Sequence, residues 1–301
     1  MTRRLHRFPA VALLFAPLLL GARAAEAAYS PATTNGFFIF AGRVAGQGGS
    51  LFRTDVWLFN PASGEGENAV VTLVFREQVT SGGGASPAIT SAPIVLARRE
   101  TKFLPDVTFT APVPAGDNRV GSLEWISDRP VMASARVYNA TAEGTFGFFL
   151  PGIPVSESMG AKSSATDAVN VLQMYGVNSG DPTNFRTGLD VVNTSSVAVP
   201  IQVRVVHPTN NLVFGSNLDF SIAPKSLYRV GPVLMLAGAE PVDGLRITVG
   251  IRDGTDLPGG GGILAVATTL DNRTADAFAF VGQRQAGTVV PAELLPLADL
   301  P

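Results

Sequence analysis

Apolar and polar residues alternate along much of this chain with a period of two. Val71, Leu73 and Phe75 are interleaved with Thr72, Val74 and Arg76, and Ile201, Val203 and Val205 with Gln202 and Arg204. A strand sends successive side chains to opposite faces, so each segment predicts a strand with one face buried and one wet. Further runs rich in Val, Ile, Phe and Thr cover Phe37–Val44, Ile89–Leu96, Ser122–Ile126 and Gly144–Leu150, then Val169–Tyr175, Leu218–Ile222, Ser226–Val230 and Leu245–Gly250. Between them lie clusters such as Asn60-Pro61-Ala62-Ser63-Gly64, Ser81-Gly82-Gly83-Gly84, Ala115-Gly116-Asp117-Asn118 and Asp253-Gly254-Thr255-Asp256, whose residues favour turns. Long amphipathic helical patterns are absent, and Pro232–Ala239 predicts no more than a turn or two of helix.

The pattern is written twice. Phe52-Arg53-Thr54-Asp55-Val56-Trp57-Leu58-Phe59-Asn60 recurs 133 residues later as Phe185-Arg186-Thr187-Gly188-Leu189-Asp190-Val191-Val192-Asn193. Val131–Asn139 lines up with Ile263–Asp271 at a spacing of 132, and the match continues from Phe146-Gly147-Phe148 onto Phe278-Ala279-Phe280. Ala97–Val107 aligns more loosely with Ala223–Val233. Two tandem copies of one domain are expected, over residues 28–160 and 161–301, with Pro151–Thr166 as the connection. About seven or eight short strands per copy predict an all-β chain of two antiparallel, immunoglobulin-like sandwiches.

The first residues change the picture of where the chain goes. Arg3, Arg4 and Arg7 precede an apolar run from Ala10 to Leu20, then two small-x-small patterns, Ala22-Arg23-Ala24 and Ala25-Glu26-Ala27. This predicts a secretory signal peptide over residues 1–27 and a secreted or periplasmic mature chain. Twin-arginine export is disfavoured, because the Arg pair lacks the apolar residues expected just after it. No later run approaches the ~20 apolar residues of a membrane-spanning helix, so no integral membrane segment is expected. An outer-membrane barrel is disfavoured by irregular turn spacing and by a chain end without a final aromatic.

Composition then narrows the chemistry. The 301 residues are 46% hydrophobic and 15% charged, the reverse of the disorder signature. There is no Cys, which excludes disulfides, thiolate metal sites and cysteine nucleophiles. The net charge of −2 becomes −5 without the predicted signal, and no basic run follows it, so no nucleic-acid partner is expected. Beyond the signal, His207 is the one histidine, which leaves no two-histidine metal site. Gly-x-Ser-x-Gly, Ser-x-x-Lys and Asp-Thr-Gly are all missing. A dispersed carboxylate pair of the glycosidase type leaves no sequence mark, so a hydrolase remains an alternative.

Candidate contacts each have a structural counterpart. Arg53 and Arg186 stand at the same place in both copies, as ligand-binding guanidiniums or as ties to a neighbouring loop. Asn60 and Asn193 close the same strand, as turn formers. Trp57, Trp125 and Tyr138, with Tyr175 and Tyr228, offer a sugar-stacking platform if several face one side, and core or cross-strand partners if they do not. Asp181, Asp253 and Asp256 read as turn residues, without the ligand spacing of a calcium loop. Gly46-Gln47-Gly48-Gly49 and Gly259–Gly262 read as hairpin loops, lacking the Lys and helix of a phosphate loop. Asn139, Asn193 and Asn272 begin triplets matching the glycosylation acceptor pattern. No catalytic residue, metal or cofactor is expected.

The patterns Phe52–Pro61, Arg136-Val137-Tyr138-Asn139, Gly144–Gly152 and Asp271-Asn272-Arg273-Thr274-Ala275-Asp276 resemble those of a group of secreted bacterial proteins with tandem all-β domains. The resemblance implies an exported repeat protein and carries over no catalytic residue. The expectation is a non-enzymatic binding, adhesion or cell-envelope protein, whose partner is a protein or polysaccharide of the envelope or extracellular space. A carbohydrate-binding module is the alternative that the aromatic residues support.

Overall fold

A computed structural model describes residues 31–46, 49–109, 111–141, 144–160, 171–177, 184–252, 255–258, 260–274 and 276–284. The predicted signal peptide, Asp181, Asp253, residues 47–48 and 259 of the Gly-rich loops, and residues 161–166 of the predicted connection lie outside the described residues. The chain is all-β, in antiparallel sheets. Strands β1 (Thr33–Ala45), β2 (Leu51–Phe59), β3 (Ala69–Glu77), β4 (Ala88–Thr90), β5 (Ile94–Leu96), β6 (Thr101–Leu104), β7 (Arg119–Thr141), β8 (Gly144–Pro151) and β9 (Ile153–Pro154) form one nine-stranded sheet. Further on come β10 (Val171–Val177), β11 (Phe185–Asn193), β12 (Val199–Val206), β13 (Leu218–Ile222), β14 (Leu227–Val230), β15 (Leu245–Ile251), β16 (Ile263–Asp271), β17 (Ala277–Val281) and β18 (Gln283–Arg284). They make a five-stranded sheet in the order β13-β12-β15-β10-β18 and a four-stranded one in the order β14-β11-β16-β17.

Two predicted runs differ from the strands that form. Ile89–Leu96 is split into β4 and β5, because Pro93 has no N–H to give the ladder and Ser91 substitutes for a strand residue. Its Oγ accepts from Leu73 N at 3.0 Å while its own N–H donates to Leu73 O at 2.8 Å. Conversely, Ser122–Ile126 and Val131–Asn139 are joined in the 23-residue β7. Its first part pairs with β1 and β3, and from Met132 onward it pairs with β2 and β8. The change of partners falls at Asp128-Arg129-Pro130, which is exposed and outside the ladders. The short helix α1 (Val233–Leu236) falls within the predicted Pro232–Ala239.

The four-stranded sheet is buried on both faces, which places the site described next. Leu189, Val191, Ala265 and Ala267 point to one side and share a core with Leu172, Val203 and Val249 of the five-stranded sheet. Val192, Leu227, Leu264, Val266 and Ala277 point to the other and join the core of the nine-stranded sheet, with Phe38, Phe40 and Val137. Strand β11 therefore lies between two apolar layers, and any polar side chain on it is taken from water.

The ladders repeat the sequence pattern in their register. Phe52 pairs with Asn139 in β2–β7, and Phe185 with Asp271 in β11–β16. Trp57 pairs with Phe103 in β2–β6, and Asp190 with Arg229 in β11–β14. The next hairpin departs from this. Val137 faces Phe148, but Thr269 faces Phe278, where the ungapped sequence match puts Phe280. A slip of two residues keeps every side chain on its face.

Candidate functional site

Two surfaces carry the residues singled out by sequence. The first is the outer face of β6, β2, β7 and β8. On β2, Phe52, Thr54, Val56 and Leu58 turn into the core, so Arg53, Asp55 and Trp57 turn outward together. Opposite them in register stand Tyr138, Arg136 and Ser134. Phe103 pairs with Trp57 from β6, and Phe149 pairs with Arg136 from β8. The Trp57 ring stacks on Phe103 at 5.0 Å between centroids and lies 6.2 Å from Phe149, giving a row of three aromatic rings. Phe103 and Phe149 are 49% and 68% exposed, so the row presents apolar ring surface to water.

The polar half of this face is tied together. Asp55 accepts from the Asp106 backbone N–H at 2.9 Å, and Arg43 bridges Asp106 and Asp117 while its guanidinium lies 4.0 Å over the Phe109 ring. Burial would lower the Arg43 pKa, but hydrogen bonds to Asp117 and Asp106 outweigh it and raise the pKa above its ordinary value. The Arg136 guanidinium sits 4.9 Å over the Tyr138 ring. Burial and the neighbouring Asp55 carboxylate hold the Tyr138 hydroxyl above its usual pKa, so it remains a neutral donor. The Arg53 Nε is buried without a hydrogen-bond partner among the described residues.

Trp57, Tyr138 and Arg53 are thus brought onto one face, and Trp125 is not. Of the two readings that sequence left open for it, platform member or core residue, Trp125 takes the second: it is 1% exposed and packs against Phe38 at 5.3 Å in the core. Its ring covers Gly36, where a Cβ would come within 2.1 Å of it, so the indole fills the space of a missing side chain. Tyr175 and Tyr228 belong to other sheets, Tyr228 packing on Phe220 at 4.9 Å.

Arg186 goes elsewhere, to a cleft of about 470 Å³ between the nine-stranded and four-stranded sheets. Phe40, Phe52, Val137, Phe148 and Leu270 wall it, and Arg186, Gly188, Arg229 and Thr268 reach it from the four-stranded sheet. Arg186 Nη1 donates to Asn272 Oδ1 at 2.8 Å, so it ties down the β16–β17 turn. Arg229 Nη2 donates to Asp190 Oδ2 at 3.1 Å, and its guanidinium lies 4.9 Å over Phe40. Asp190 Oδ1 is 3.1 Å from Arg229 Nε without hydrogen-bond alignment. Burial raises the Asp190 pKa, with Arg229 opposing, and burial and then repulsion from Arg229 lower that of Arg186.

Sequence reading missed Phe103, Phe149, Gly188, Asp190 and Arg229 as site residues. Phe103 and Arg229 occupy matching places in the loosely aligned Ala97–Val107 and Ala223–Val233, and that match was the one signal for them. Asn139 and Asn193 are buried, and their side chains hold the β1–β2 approach and the β11 turn, which leaves neither open to a glycan. His207 packs beside Phe214 at 5.8 Å, and its Nδ1 lies 3.2 Å from the Thr209 hydroxyl. Among the described residues no group of three or more His, Asp or Glu could hold a metal, and no helix is long and apolar enough to cross a membrane. By its fold the chain belongs to the all-β class, with antiparallel sheets in stacked layers. No protein-family model matches it, and no curated protein matches it.

Proposed function

We propose that this is an exported, non-enzymatic binding protein of the cell envelope or extracellular space, acting through the outer face of β2, β6, β7 and β8. The observation that carries the reading is the row Phe103, Trp57 and Phe149, open to water beside Arg136 and Tyr138. Aromatic rings with a cation at their edge are the composition of binding hot spots. The reading includes two tandem immunoglobulin-like sandwich domains, supported by the matching registers of β2–β7 and β11–β16. The purified chain should co-sediment with isolated envelope material. Phe149→Ser with Phe103→Ser should release it while leaving the thermal transition in place, since exposed substitutions change stability by about 0.5 kcal/mol or less. Absence of co-sedimentation, or a double variant that behaves as the parent, would overturn the reading.

A second reading, a polysaccharide as the ligand, is favoured by Phe149, whose 68% exposure leaves ring surface for a sugar to stack on. Competition by purified envelope polysaccharide, removed by Phe149→Ser, would select it over a protein partner.

A further inference from the structure

The three rings of the outer face are not equivalent. Trp57 and Phe103 are stacked at 5.0 Å with 29° between their planes, so each covers a face of the other. Phe149 is tilted by 36° from Trp57 at 6.2 Å and is 68% exposed, so its ring keeps a face for a ligand. It stands directly opposite Arg136 in the β7–β8 ladder, where paired residues have Cβ atoms about 5 Å apart. Thr145 and Gly147 precede Phe149 on the same face of β8, by the period of two. At Gly147 a Cβ would come within 2.1 Å of Val137 O, so no side chain stands between Thr145 and Phe149.

The Arg136 guanidinium is fixed along this strip. Its Nη2 donates to Thr145 Oγ1, and its central carbon lies 4.9 Å over the Tyr138 ring. Both partners are neutral, a hydroxyl and a phenol, so they orient the cation without cancelling its charge. The carboxylates of the outer face are engaged elsewhere. Asp55, opposite Arg136 in the β2–β7 ladder, is 7% exposed and accepts from the Asp106 N–H, while Asp106 and Asp117 are bridged by Arg43. Strand β8 itself contains no Asp or Glu. Arg53, opposite Tyr138 on β2, adds a second guanidinium to the face.

We infer that this strip binds a carboxylated polysaccharide, with the ring of a uronic acid stacked on Phe149 and its carboxylate held by Arg136. The apolar C–H face of a sugar ring matches an aromatic face, and a planar guanidinium matches a carboxylate through charge-assisted hydrogen bonds. An arginine already oriented by neutral neighbours loses little further freedom when it takes up the anion. The inference rests on the polysaccharide reading of the outer face and adds the charge of the sugar that is bound.

The test is calorimetric titration of the whole protein with polygalacturonate, with its fully methyl-esterified form, and with poly-L-glutamate. Polygalacturonate should bind; the ester, which keeps the ring without the charge, and polyglutamate, which keeps the charge without the ring, should each bind at least about tenfold more weakly. Arg136→Gln should weaken polygalacturonate at least about tenfold, to the level of the ester, and leave the ester within about threefold. Phe149→Ser should weaken both sugar polymers and provides the test if Arg136→Gln does not fold. Raising the salt from about 0.05 M to about 0.5 M should weaken polygalacturonate and spare the ester, because exposed charges are screened. Binding of the ester or of polyglutamate as tight as that of polygalacturonate, undiminished binding by a folded Arg136→Gln, or no binding of any probe would overturn the inference. Each of these results leaves co-sedimentation with envelope material, and its loss in the Phe103→Ser and Phe149→Ser double variant, to be read separately, so a failure here is distinct from a failure of the envelope-binding reading.

Discussion

Asn60 and Asn193 look interchangeable with any turn-forming residue in sequence, yet both are fully buried and hold more than a turn. The Asn193 amide donates to Val197 O at 2.7 Å and Ile222 O at 3.0 Å, and its Oδ1 accepts from Ser195 N at 2.8 Å. Asn60 repeats the arrangement with Glu67 O at 2.8 Å, Leu96 O at 3.2 Å and Ala62 N at 3.1 Å. One side chain in each place satisfies a loop carbonyl, a strand-end carbonyl and a loop N–H that water does not reach. Asn193→Ala strips all of these at once, and unsatisfied buried groups cost about 1–3 kcal/mol each, partly relieved by relaxation. Urea unfolding should therefore show a loss of about 2–4 kcal/mol, among the larger effects of a single substitution. The residue type was legible in the sequence as a strand stop. Its partners were not, since they lie as far as 36 positions away in the chain.

At the scale of the element, β11 carries a charge into an apolar layer. Asp190 alternates with Val191 and Val192 in a strand covered on both sides, and only Arg229 on the adjacent β14 offsets its lost hydration among the described residues. A buried pair of this kind contributes little net stability. Because burial raises the Asp190 pKa above its unfolded value near 3.8, the folded state binds more protons than the unfolded state over the window between the two. Its contribution is greatest below the unfolded value and is lost as pH rises through the folded one. Unfolding free energies measured from pH 3 upward should accordingly show Asp190→Asn gaining on the parent as pH increases through that window. A constant difference across the range would mean that Asp190 titrates normally. The alternation of β3 and β12 read directly from sequence because each has one wet face. That of β11 did not distinguish its faces, since burial on both sides removes the polar half of the pattern.

For the whole molecule, the consequence of a sheet covered on both faces is that the two halves of the chain depend on each other. Val192, Leu227, Leu264 and Val266 would face water without the nine-stranded sheet. A chain of residues 161–301 alone should bind a hydrophobic dye and aggregate, and addition of residues 28–160 should suppress both. A soluble, dye-silent second half would show that this face needs no cover.

The sequence by itself determined most of the strands and turns, the all-β class and the correspondence of two distant segments, because period two, turn residues and matching offsets are local or internal to the chain. It also identified Arg53, Arg186, Trp57 and Tyr138 as worth locating. Only the tertiary structure decided that Trp125 belongs in the core, that Phe103 and Phe149 line up with Trp57, and that the face of β11 matching that of β2 is closed over by the other half. Alternation fixes that neighbouring side chains take opposite faces. Which face meets solvent, and which meets another sheet, depends on layers whose contacts are spread across the entire chain.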